Sequence, residues 1–181
     1  AYLSSLGALD LNNVEVQLEE GRDPKLNKYS LPSTSTPEEV RSGIVASLNF
    51  LQVAPDKVTI PLWVAPYAAT IVSEIEDHFA SVYILGPSGC RKTALGVVAL
   101  CHHGNFSPDN LFTFNDTTNS LEKASYTLKD APLFVDDFYP TTIRQDQQRM
   151  RATFEGLTRS AGNRSGRGRM NSNLKLRRTF Y

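Results

Sequence analysis

Gly86-Pro87-Ser88-Gly89-Cys90-Arg91-Lys92-Thr93 is the stretch on which the fold turns. It stands between a short, almost wholly apolar run, Val82-Tyr83-Ile84-Leu85, and an apolar, helix-compatible run from Ala94 to Cys101. The first run predicts a parallel strand covered on both faces, and the second a helix. But for one position, the segment between them follows the pattern G-x-x-x-x-G-K-[ST] of a phosphate-binding loop. Small loop residues let backbone N–H groups point inward at a phosphate, and the following helix adds the positive end of its dipole. The Lys92 ammonium reaches the β- and γ-oxygens of a triphosphate, and Thr93 offers a hydroxyl to Mg2+. The departure is Arg91, which stands in the place of the last glycine. A side chain there has to point away from the phosphates, and its φ/ψ is expected to suit a non-glycine residue. The plainer alternative is a glycine-rich turn ahead of a helix.

Downstream, Leu111-Phe112-Thr113-Phe114 predicts a second strand, residues 118–128 a helix, Leu133-Phe134-Val135 a third strand and residues 143–158 a further helix. Alternation of this kind argues for an α/β layer with a mostly parallel sheet. The third strand ends in Asp136-Asp137, 43 residues after Thr93. Nucleotide hydrolysis asks for a carboxylate near Mg2+ and a second group that orients or activates the attacking water. Asp136 takes the metal side, through water, and Asp137 the water, which with Lys92 makes the catalytic pair. Neighbouring side chains on a strand point to opposite faces, which favours different roles for the two aspartates. The alternative is that the pair merely caps a strand or turn. Arg144, Arg149 and Arg151 on the last helix read as a solvated face, with a catalytic finger as the alternative.

Upstream, residues 1–35 form an irregular lead-in with one alternating stretch, Val14-Glu15-Val16-Gln17-Leu18. Residues 36–79 read as a helical segment. Thr36-Pro37-Glu38-Glu39 offers an N-cap hydroxyl, a proline at the first helical position and a glutamate for a capping box. Val40, Ile44, Leu48 and Leu51 then make one apolar face over residues 38–52, expected to be core. A second helix is expected over residues 62–79, with Trp63, Tyr67, Ile71 and Ile75 as a packing stripe and His78 a polar residue near its end. His102-His103-Gly104 closes the helix after the loop, where imidazoles suit the negative end of the dipole. Cys90 reads as a small filler.

The chain has 181 residues, 40% of them apolar, enough for one sizeable core or for one core and a small flanking domain. The formal net charge of zero hides a split. Residues 1–155 carry 12 Lys/Arg against 19 Asp/Glu, whereas residues 156–181 carry 7 Lys/Arg and no acid. That basic end, with Arg159, Arg164, Arg167, Arg169, Lys175, Arg177 and Arg178 among Gly, Ser and Asn, suits a phosphate backbone, and solvation is its alternative. Two cysteines make no disulfide framework, and no apolar run approaches the ~20 residues that cross a bilayer. A reducing, cytoplasmic setting without a membrane is expected.

With Gly86–Thr93 and Leu133–Asp137 in hand, the chain resembles P-loop ATPases of the helicase-like or primase-associated kind found in bacterial and phage mobile elements. It is similar also to superfamily 3 replicative helicases and AAA+ proteins, in which a double-aspartate Walker B is common. The resemblance covers about residues 38–181. It takes in Val53-Ala54-Pro55, the loop, Asn115-Asp116-Thr117-Thr118-Asn119-Ser120-Leu121-Glu122, Leu133-Phe134-Val135-Asp136-Asp137-Phe138 and the Arg/Gly-rich tail. The two Walker elements are its specific part. It implies a P-loop NTPase core over residues 80–181, a parallel sheet flanked by helices and incomplete at the C-terminus, preceded by a small mainly helical segment. It implies further an ATP- and Mg2+-dependent motor, a homo-oligomeric ring acting on DNA in the replication of a mobile element. The family's sensor strand and finger arginine have no place before Tyr181, so the chain is expected to be the front of a longer core, inactive in isolation. A nucleotide-gated DNA-binding or regulatory switch and a small-substrate P-loop kinase remain as alternatives.

Overall fold

The computed structural model describes residues 3–4, 7–8, 23–32, 34–71, 81–128, 130–139 and 142–163. The chain divides into two compact units, Ala1–Ala68 with Val82–Leu111, and Ala69–Ser81 with Phe112–Tyr181. Its elements make a mixed, mainly helical α/β structure with one small parallel sheet.

In the first unit, β1 (Leu3–Ser4) pairs antiparallel with β2 (Gly7–Ala8), Leu3 opposite Ala8. The alternating stretch at residues 14–18 lies outside the described residues. α1 (Pro37–Asn49) starts on the expected capping box: Glu39 N–H donates to the Thr36 hydroxyl oxygen at 3.2 Å, and Thr36 N–H donates to the Glu39 carboxylate at 2.8 Å. The backbone bond and then the hydroxyl bond from Thr36 hold the Glu39 carboxyl below its usual range.

The apolar face of α1 is not the core that its periodicity predicts. α1 buries none of its residues, and Val40, Ile44 and Leu48 stay about half exposed. Only the C-terminal end is engaged, through Ser47 and through Phe50, which is buried in the 3-10 turn Phe50–Gln52 that follows. Periodicity marks a face fit for burial, but a facing element has to be there to cover it.

α2 (Asp56–Ile71) begins ahead of the expected residue 62 and holds Pro61 and Pro66 inside it. Each proline leaves a carbonyl one turn back without its helical donor. Of the stripe on this helix, Trp63 packs on the core, while Tyr67 and Ile71 are about half exposed; residues 72–80, with Ile75 and His78, lie outside the described residues.

α3 (Lys92–Leu100) buries Val97, Ala99 and Leu100. Phe50, Leu62 and Ala99 form the centre of this unit's core, with Val58, Trp63, Ile84 and Leu95 packed around it. Ile84 is thus held, but Val82 and Tyr83 are 40% and 51% exposed and Leu85 is 90% exposed. The strand predicted over residues 82–85 does not form: among the described residues the sheets are two pairs of strands, and neither includes this run. An apolar run becomes a strand only where a neighbour supplies a ladder, and none reaches it here.

The second unit contains a strand–helix–strand crossover. β3 (Phe112–Thr113) pairs in parallel with β4 (Val135–Asp136), Thr113 opposite Asp136, and α4 (Thr118–Thr127) connects them. Parallel neighbours need such a crossover, because a tight turn joins only antiparallel strands. Thr117 caps α4 by accepting from Ser120 N–H at 3.2 Å, and Leu121 and Ala124 are its buried face. α5 (Arg144–Asn163) buries Met150 and Thr153, and the Thr153 hydroxyl lies 2.9 Å from that of Thr118. The rings of Phe114, Phe138 and Phe154 gather between strand ends and α5, with centroids 5.1–6.2 Å apart.

Candidate functional site

The chain turns at Ser88-Gly89, where Gly89 has φ 81°, and enters α3 through Arg91. Arg91 has φ 59° and ψ 30°, the left-handed conformation. The expectation of a backbone suited to a non-glycine residue is thereby overturned. The segment keeps the glycine-like conformation of its pattern, at a cost of roughly 1–2 kcal/mol for an L-residue. At the helix start the Arg91 carbonyl accepts from Leu95 N–H at 3.1 Å.

Arg91, at the N-cap position, makes no side-chain capping hydrogen bond. The amides that a helix start leaves without an intrahelical acceptor are therefore not served from that residue. Lys92 opens the helix and folds back over the loop: its ammonium donates to the carbonyls of Gly86 at 2.9 Å and Pro87 at 2.8 Å, with Cys90 Sγ at 3.8 Å. A Cβ on Gly86 would meet Cys90 Sγ at 3.0 Å and Lys92 Cδ at 3.9 Å, so glycine at this position lets the loop close on its own lysine. Gly86, Pro87, Ser88, Gly89, Cys90 and Arg91 are exposed, Lys92 and Thr93 half-buried. A cation beside a helix start is an arrangement that favours a phosphate.

Asp136 and Asp137 belong to the second unit. Asp136 is the last residue of β4, and its carbonyl accepts from Phe114 N–H at 3.0 Å. Asp137 has φ 59°, so the strand ends between the two aspartates and the second is exposed just beyond it. Strict alternation of the two side chains across a strand therefore does not apply. Among the described residues no three His, Cys, Asp or Glu side chains gather as a metal cluster. Magnesium carried in with a nucleotide does not need one, because phosphates and water are most of its ligands.

One polar cluster went unread in the sequence. The Ser47 hydroxyl oxygen lies 2.9 Å from Trp63 Nε1, 2.8 Å from the Tyr67 hydroxyl and 2.9 Å from His102 Nε2. His102 Nδ1 is 2.8 Å from the Ala99 carbonyl, which can only accept, so Nδ1 carries the proton and Nε2 accepts from Ser47. Ser47 then accepts from Trp63 and Tyr67, and all its hydrogen-bonding capacity is used. Its partners lie 16, 20 and 55 residues away, with no local signal to reveal them. His102 thus does meet the carbonyls at the end of α3, as its position suggests, whereas buried His103 reaches the Pro66 carbonyl at 3.0 Å.

Arg159 is exposed on α5, while Arg164, Arg167, Arg169, Lys175, Arg177 and Arg178 lie outside the described residues. No described helix is long and apolar enough to cross a membrane. Comparison with protein-family models, curated proteins and solved structures finds no match to this chain.

Proposed function

We propose that Gly86–Thr93 binds Mg·ATP and that the chain is the ATP-hydrolysing motor domain of a helicase-like DNA replication protein, built on a P-loop NTPase core. The observation that supports this most is the Lys92 ammonium held on the Gly86 and Pro87 carbonyls, directly ahead of a helix start with no side-chain cap. Those neutral acceptors keep the ammonium over the loop without cancelling its charge. A triphosphate offers it stronger, charged acceptors, and the exchange leaves no buried group unpaired. Thr93 and Asp136, the latter through water, are the residues proposed for Mg2+, which when bound neutralises charge developing on the phosphates. Asp137 orients the attacking water, and its place just past the strand end leaves it exposed for that task. The basic end from Arg159 onward contacts DNA, and a homo-oligomeric ring is the proposed assembly.

The test is ATP turnover by the full-length protein with and without single-stranded DNA, beside Asp137→Asn in the same full-length protein. Turnover that rises with DNA and is lost in the variant, while ATP binding persists, is the expected result. Normal turnover in Asp137→Asn rejects the role given to Asp137, and turnover indifferent to DNA rejects the motor.

A further inference from the structure

α5 carries four arginines, Arg144, Arg149, Arg151 and Arg159, and no lysine. All four are exposed, and among the described residues none of them has an ion-pair partner. At 3.6 residues per turn, Arg144, Arg151 and Arg159 fall within about 80° of one another around the axis, with Arg149 about 80° further round. The rotation of the helix is fixed by the opposite side, where Met150 and Thr153 are buried and Phe154 joins the ring cluster. The arginines therefore face outward because of packing, and Glu155 is the one exposed acid beside them.

We infer that this face of α5 lies along the phosphate backbone of a nucleic acid, with Arg144, Arg149 and Arg151 as contact residues alongside the basic end. The inference rests on the proposal that the chain acts on DNA, and is independent of the ATP site. From Arg144 to Arg159 the row runs for about 22 Å. A DNA strand presents a phosphate every ~3.4 Å of axis, so the row spans several of them. Guanidinium forks pair with phosphate oxygens in a bidentate way that ammonium groups cannot match, which suits a face built from arginine alone. Between the arginines the exposed positions hold Gln145, Gln148, Ala152 and Thr158, with the single carboxylate of Glu155 among them. Amide and hydroxyl groups serve phosphate and sugar oxygens, whereas a membrane-binding helix needs large apolar residues, which this face lacks. In the sequence the helix is followed by residues 164–181, which hold six further cations and no acid.

The experiment is anisotropy of a labelled single-stranded oligonucleotide titrated with the full chain over a range of NaCl concentrations. The combined variant Arg144→Gln, Arg149→Gln, Arg151→Gln is expected to lower affinity on the order of 10- to 100-fold. It also flattens the log K against log salt slope by about 2, because each lost phosphate contact removes ~0.7 on a single strand. Glutamine keeps helix propensity, and far-UV circular dichroism checks the fold. Should the combined variant misfold, Arg151→Gln alone flattens the slope by ~0.7. Unchanged affinity and slope overturn the inference, as does an unaltered chain that leaves the oligonucleotide unbound. Loss of binding to phosphatidylserine vesicles with oligonucleotide binding intact overturns it in favour of a membrane. Mg·ATP binding by the unaltered chain, measured in parallel, tests the nucleotide site separately; its absence defeats that site and leaves the α5 contact to stand on the slope.

Discussion

Gly104 faces the carbonyl of Lys28 so closely that a Cβ on it would overlap the Lys28 oxygen and stand 2.9 Å from both the Lys28 carbonyl carbon and the Ser30 nitrogen. Beside this contact the rings of Tyr29 and Phe106 meet edge to face at 4.8 Å, and Leu26 is 1% exposed. The end of the α3 segment and the turn Pro24–Lys28 are thus held backbone to backbone. Gly104→Ala is expected to lower stability by roughly 2–4 kcal/mol, from overpacking and the backbone shift it forces. Gly156→Ala, in α5 with open space around its Cα, should instead raise stability by about 0.5–1 kcal/mol. Urea midpoints of the two variants make the comparison.

Arg91 occupies a left-handed conformation that glycine takes without strain. Arg91→Gly relieves roughly 1–2 kcal/mol of that strain and gives back about 0.4–1 kcal/mol in unfolded-chain entropy. The variant should therefore be more stable by a few tenths to about 1 kcal/mol, whereas β-branched Arg91→Val should be less stable than the unaltered chain. Urea midpoints in that order support the backbone; the reverse order contradicts it.

His103 makes stability depend on pH. Burial pushes its imidazole below the ordinary value, the bond to the Pro66 carbonyl opposes this in part, and the neighbouring His102 adds to the lowering. The ring is then neutral in the folded chain under conditions where it is protonated in the unfolded one. Protons bind the unfolded chain better, so the contribution is complete above about pH 6.5 and is lost as pH falls below it toward the folded value. Melting temperatures should accordingly fall more steeply with acid for the unaltered chain than for His103→Gln. Parallel profiles for the two proteins contradict the assignment.

Ser47 joins three side chains, and Trp63 among them is the chain's one tryptophan. Ser47→Ala leaves the indole N–H, the Tyr67 hydroxyl and His102 Nε2 to find water, which they can do because all three are partly exposed. The cost is expected near 1 kcal/mol, at the low end for an unsatisfied group. Tryptophan fluorescence should shift to the red in the folded variant; an unchanged emission maximum contradicts the cluster.

What the sequence discloses in this chain is local chemistry. The capping box joins Thr36 to Glu39, the loop meets its helix at Lys92, and the cap on α4 joins Thr117 to Ser120, each within one turn of backbone. The strands of the crossover show as apolar runs, although pairing reduces them to two residues each. What stays hidden depends on distant partners. Among the described residues Val82–Leu85 is apolar enough for a strand but finds no ladder, and Val40, Ile44 and Leu48 are periodic enough for a core but find no cover. At Pro61 a breaker inside an apolar stretch conceals the first turns of α2. Within the candidate site, the pattern names the loop residues proposed for a phosphate, whereas the left-handed backbone at Arg91 shows only in the structure.

The most direct test of a triphosphate held by Gly86–Thr93 is equilibrium binding of Mg·ATP to the unaltered chain and to Lys92→Ala. Removing the ammonium takes away a charge-assisted hydrogen bond worth roughly 1.5–3 kcal/mol, so affinity should fall on the order of 10- to 100-fold. Equal affinity in the two proteins, or no binding by the unaltered chain, contradicts the account.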